Sequence, residues 1–133
     1  MKQYMIWGAV GVVVLLVLSV FGSYNSLVAL DQEARAKWAD VEGQYQRRMD
    51  LVPNLVATVK GAANFEQETL TAVVEARAKA TQITVDPAKL DAESIAKYQA
   101  AQGELGTALG KLLMISENYP QLTATANFRD LQS

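Results

Sequence analysis

The chain of 133 residues contains no cysteine and no histidine. Without cysteine there is no disulfide framework, no thiolate nucleophile and no lipoprotein-type anchor. Without histidine the commonest general base and the commonest metal ligand are both missing. The carboxylate-bridged dimetal sites of helical bundles need Glu-x-x-His pairs, so Glu66, Glu75, Glu104 and Glu117 read as solvated glutamates. Charge of one sign is lacking too: Lys and Arg number 12 against 14 Asp and Glu. Such a mixed, slightly acidic chain carries no footprint for nucleic acid and no polybasic run for anionic lipid. Glycine-rich phosphate loops, nucleophile elbows and metal-ligand spacings are absent as well. These absences predict a protein that is not an enzyme and has no cofactor or metal.

Charge is missing altogether between Gln3 and Leu30, and residues 4–21 read YMIWGAVGVVVLLVLSVF. As a helix, such a run of apolar residues reaches roughly 27 Å, close to the ~30 Å hydrocarbon core of a bilayer. A span and a signal peptide share this signature, but signal peptides use a shorter apolar region. Tyr4 and Trp7 at one end and Tyr24 at the other suit the headgroup zones. The expectation is an uncleaved single-pass anchor over 1–30, in contact with membrane lipid. Lys2 lies next to the span whereas Arg35 and Lys37 lie farther from it, which favours the amino terminus inside and the domain outside the cytoplasm.

One stripe of the anchor is small. Gly8, Gly11, Ser19, Gly22, Ser23 and Ser26 fall largely on one face, where membrane helices approach closely. Packing of one copy on another is the functional reading; the abundance of Gly and Ser in membrane helices is the bland one.

Residues 31–133 suffice for one domain with a modest core. Leu27, Leu30, Ala34, Trp38, Val41, Tyr45 and Val52 step by threes and fours, the stripe of an amphipathic helix or a coiled-coil seam. The span is therefore expected to continue into the first domain helix as one rod. Pro53 should then break or kink the chain at 50–52, with Asp50 near the start of the next helix. A second helix is expected from Val52 to Ala80, bent near Gly61 and Asn64. Residues 81–91 read as a connection with Asp86-Pro87 as a turn or helix start and Asp91 as a cap. Helical spacing returns over 92–117, where Gly103, Gly106 and Gly110 predict a closely packed neighbour. Tyr119-Pro120 ends that helix, and a short fourth pattern holds Ala124, Phe128 and Leu131. The fold class is all-α: an N-terminal transmembrane helix continuing into an antiparallel up-and-down helical bundle of three to four helices over 31–133.

The stretch RRMDLVPNLV at 47–56 carries a resemblance. With YNSLV at 24–28, Trp38, TVKG at 58–61, Glu66, Ala76-Arg77, Tyr119-Pro120 and Phe128 in order, the chain resembles the LemA family of bacterial membrane-anchored helical proteins. The resemblance implies an amino-terminal membrane helix, an antiparallel bundle, the bacterial cell envelope and inner membrane as its setting, and no catalytic residues. Phe65 stands where the family often has histidine, and the family's long final helix is missing, which predicts an incomplete last helix.

Arg47, Arg48, Asp50, Pro53 and Asn54 are the densest polar group beside an expected break. They form either a recognition knuckle for a partner or anionic headgroup, or a structural set in which Asp50 caps and an arginine pairs with a carboxylate. Trp38, Tyr45, Tyr98 and Tyr119 lie on helical stripes and read as core. The function expected is a non-enzymatic membrane-anchored scaffold that forms homo-oligomers or joins an envelope protein partner, and organises or shapes membrane. The alternative is a sensory or adaptor module that binds a ligand or partner through the bundle.

Overall fold

The computed structural model describes residues 2–62 and 65–132. Helix α1 runs Lys2–Lys60, α2 Gln67–Gln82, α3 Ala92–Ser116, α4 Pro120–Thr123 and α5 Ala126–Gln132, and the described residues contain no strand. The chain divides into two compact units, 1–38 and 39–133.

The first unit is the leading part of α1. It contains a stretch long and apolar enough to cross a membrane, none of it buried in the fold. Its apolar side chains are exposed from Tyr4 to Leu30. An uncharged apolar helix surface of this length is costly in water and matched by hydrocarbon.

The second unit has the core. Met49, Val52, Leu55, Val56 and Val59 of α1 join Leu70, Val73, Ala76 and Ala80 of α2, Ala101, Leu105, Leu109 and Leu112 of α3, Leu122 of α4 and Phe128 of α5. Their three and four spacing turns one face of each helix inward. Leu55, Leu105, Leu112 and Phe128 are fully buried, each stabilising the fold by roughly 1.5–3 kcal/mol. Val74 of α2 lies outside this core and is exposed.

Helix α3 starts where expected. Asp91 Oδ1 accepts from the Ser94 amide at 2.8 Å and Oδ2 accepts from Ser94 Oγ at 2.8 Å, satisfying a first-turn donor that has no helical partner. The preceding connection turns at Asp86, whose Oδ1 accepts from the Ala88 amide and whose carbonyl accepts from the Lys89 amide. Val85, just before this turn, is buried. The fourth pattern resolves into α4, opened by Pro120, and α5, tied to α1 by Asn127 Nδ2 donating to Thr58 Oγ1 at 2.8 Å.

The break expected at Pro53 is absent: α1 passes through it and ends at Lys60. A proline in a helix has no amide to offer the carbonyl four residues earlier, which here is that of Met49. Arg77 of α2 supplies the donor, its Nε lying 2.9 Å from the Met49 carbonyl oxygen. The first connection falls instead at 61–66, so the apolar stripe of 52–80 is shared between the end of α1 and α2. The bend expected at Gly61 is the helix end itself, and Asn64 and Ala63 lie outside the described residues. Asp50 is not a cap; it sits inside α1 and accepts from Gln46 Nε2 at 2.9 Å.

The close approach expected at the α3 glycines is not found: none of the three stands where a Cβ would be crowded. A Cβ at Gly106 would meet Arg48 Nη1 at 3.6 Å, while at Gly103 and Gly110 it would meet nothing within 4 Å. Those two glycines face away from the core, so the packing argument does not reach them.

Candidate functional site

Two surfaces carry the residues singled out from the sequence. The first is the apolar stretch of α1. Gly8, Gly11 and Gly22 have open space where a Cβ would stand, so their faces are free for a neighbouring helix. Ser26 Oγ donates to the Gly22 carbonyl at 3.1 Å. That hydroxyl is satisfied within its own helix, and what Gly22 and Ser26 offer a neighbour is small size rather than a hydrogen bond. Ser19 and Ser23 line a shallow depression with Leu16, Val20, Tyr24 and Leu27.

The second surface is a half-open groove of about 450 Å3 in the second unit, lined by Gln44, Tyr45, Arg47, Arg48 and Leu51 of α1 and by Asp130 and Leu131 of α5. The helical period explains the α1 side: residues 44, 47, 48 and 51 stand one turn apart. Arg48 is half-buried and its guanidinium carbon lies 5.7 Å from the centre of the Tyr45 ring, within cation–π range. Tyr45 in turn meets Tyr98 edge to face, ring centres 5.7 Å apart. Tyr98 is buried, and burial pushes its hydroxyl above the ordinary tyrosine range, assisted by the negative charge of Glu42 and opposed by the Gln102 amide.

The expected knuckle is thus split. Arg47 and Arg48 face the groove, Asp50 is engaged by Gln46, and Pro53 and Asn54 are exposed farther along α1. The structural reading, an arginine paired with Asp50 or another carboxylate, is not what is found. Ion pairs among the described residues join Arg35 to Asp31, Lys79 to Glu104 and Lys97 to Glu93, and none involves Arg47 or Arg48. Asn54 donates no side-chain bond seen here; its carbonyl accepts from Thr58 Oγ1.

Sequence reasoning missed Arg77 and the α5 wall of the groove. A signal for Arg77 existed: Pro53 leaves the Met49 carbonyl without a helical donor, which calls for a long cationic side chain nearby. No local pattern announces Asp130 and Leu131 as neighbours of α1.

Trp38 and Tyr98 are buried and Tyr45 and Tyr119 half-buried, with Tyr119 packed on Phe65 at 5.2 Å between ring centres. Among the described residues no three His, Cys, Asp or Glu side chains gather as a metal site.

The LemA family model matches residues 37–133, and no curated protein matches the chain. The match covers most of the chain and includes both Pro53 and the arginine that completes its helix, so the protein belongs to the LemA family.

Proposed function

We propose that the protein is a non-enzymatic, membrane-anchored scaffold that assembles through its apolar helix and organises the membrane around it. The observation that carries this reading is the exposed, uncharged face of α1 from Tyr4 to Leu30, in a helix that continues into the family domain. Gly8, Gly11, Ser19, Gly22 and Ser26 on that helix support lateral packing of copies, because small residues let backbones approach. Copies confined to a plane reach high effective concentration, so weak contacts add up. The anchor is single-pass in the bacterial inner membrane. Lys2 beside the span favours the domain on the extracytoplasmic side. The core helices α1 to α3 make an antiparallel up-and-down bundle in this reading, supported by the Arg77–Met49 and Lys79–Glu104 contacts.

The chain has no cysteine, so single replacements report cleanly on neighbours. Ser19→Cys, Gly22→Cys and Ser26→Cys should cross-link to dimers in oxidised membranes, and Val17→Cys and Phe21→Cys, on the opposite face of the helix, should not. Equal cross-linking at all five positions, or none at any, would remove the small-face assembly.

The groove at Arg47 and Arg48 favours a second reading, an adaptor module that binds a ligand or an envelope protein through the domain. Its polar lining is the specific observation behind that alternative.

A further inference from the structure

We infer that the groove between α1 and α5 is a binding site for a small anion bearing a phosphate or carboxylate group, held by Arg47 and Arg48. This inference is independent of assembly through the anchor.

Three observations meet here. First, two guanidinium groups from adjacent residues line one concavity, and no carboxylate forms an ion pair with either among the described residues. Two like charges brought together in a partly desolvated groove repel, and an anion between them reverses the sign of the interaction. Second, the carboxylate nearest in sequence, Asp50, is already engaged by Gln46, so the helix does not neutralise its own arginines. Third, Arg48 is held in place before any ligand arrives. Its guanidinium lies over the Tyr45 ring, and its Nη1 reaches α3, 3.6 Å from where a Cβ on Gly106 would stand. A guanidinium fixed in this way loses little freedom on binding, and its planar fork matches carboxylate and phosphate oxygens.

The walls narrow the ligand further. A volume of about 450 Å3 is that of a small-molecule site rather than of an extended protein contact. Leu51 and Leu131 offer an apolar floor, and Asp130 places one negative charge in the lining. That charge weakens a bare anion and favours one that also carries a hydroxyl or ammonium donor. The phosphate could belong to a free metabolite or to a lipid headgroup, and the chemistry is shared.

The test uses the full chain in neutral detergent, titrated with inorganic phosphate and with citrate at constant ionic strength against chloride. Saturable heat and a rise in the unfolding midpoint are expected. Arg48→Lys, which keeps the charge and loses the fork, should weaken binding on the order of tenfold. Arg47→Gln, at an exposed position, should weaken it without lowering the anion-free midpoint, since it removes one of two like charges. Asp130→Asn should tighten binding of both probes, by several-fold. In nanodiscs, loss of phosphate binding with phosphatidylglycerol but not with phosphatidylcholine identifies a headgroup as the source; equal binding in both identifies a free anion. Absence of saturable binding, or binding that Arg47→Gln and Asp130→Asn both leave unchanged, overturns the site.

Discussion

Arg77 Nε donates to the carbonyl oxygen of Met49 at 2.9 Å, the one acceptor that Pro53 leaves without its helical partner. The bond joins α2 to α1 across 28 positions of sequence and lets α1 continue through its proline. Arg77→Met should destabilise the domain by about 1–3 kcal/mol, because a half-buried carbonyl loses its only strong donor. Pro53→Ala restores an amide to that carbonyl, so the cost of Arg77→Met should shrink in its presence. A double-mutant cycle on thermal unfolding, followed by helical circular dichroism, measures the coupling. Strict additivity would show that the two residues act separately.

Gln102 is buried on α3, its Nε2 donating to Met49 Sδ at 3.5 Å while Oε1 has no hydrogen-bond partner. A buried amide oxygen left in this state costs more than a weak contact to sulfur returns. Gln102→Met keeps the volume and removes the polar atoms, so the unfolding midpoint should stay level or rise. A loss of stability of more than about 2 kcal/mol would show that the interaction of the Gln102 amide with the Tyr98 hydroxyl outweighs the orphaned Oε1.

Asp91 caps α3, and the Ser94 amide and hydroxyl hold its carboxyl below its ordinary value of 3.8. A depressed carboxyl contributes stability that is present above the unfolded value and is lost as pH falls through the folded one. The acid limb of the stability profile should therefore include this group below about pH 4. Asp91→Asn, which still caps, should flatten that limb with little change at neutral pH, whereas Asp91→Ala should lower the midpoint at neutral pH as well. Acid titrations of the three proteins by circular dichroism distinguish these outcomes.

The features legible in sequence are those set by neighbours within a turn or two. The uncharged run to Leu30, the period of α3, the Asp91 cap and the stop before Pro120 all follow from local chemistry. Pro53 misleads for the opposite reason: its local penalty is met by Arg77, a residue of another helix. The cap expected at Asp50 fails for the same reason, since it depends on a break that does not occur. The small residues and the arginine pair were visible as residue types. The wall that turns the arginines into a groove was not, because Asp130 and Leu131 reach α1 only when α5 folds back, with Asn127 on Thr58. Glycines mislead in a milder way, as a Gly at helical spacing marks an ordinary contact at Gly106 and open space at Gly103 and Gly110.

Lateral packing of the anchor depends on size alone if Ser26 uses its hydroxyl on Gly22. Ser26→Ala should then preserve self-association in detergent, while Gly22→Leu should reduce it by an order of magnitude or so, the small face being obstructed. Sedimentation equilibrium of the full chain checks both. Loss of association in Ser26→Ala would instead assign the serine an interhelical bond.

The central claim is assembly in the plane of the membrane through the exposed face of α1. The mass of the full chain in nanodiscs of varied diameter, by light scattering, tests it most directly. The account predicts several copies per disc, rising with disc area and falling in Gly22→Leu. A single copy per disc at every diameter and protein loading would contradict it.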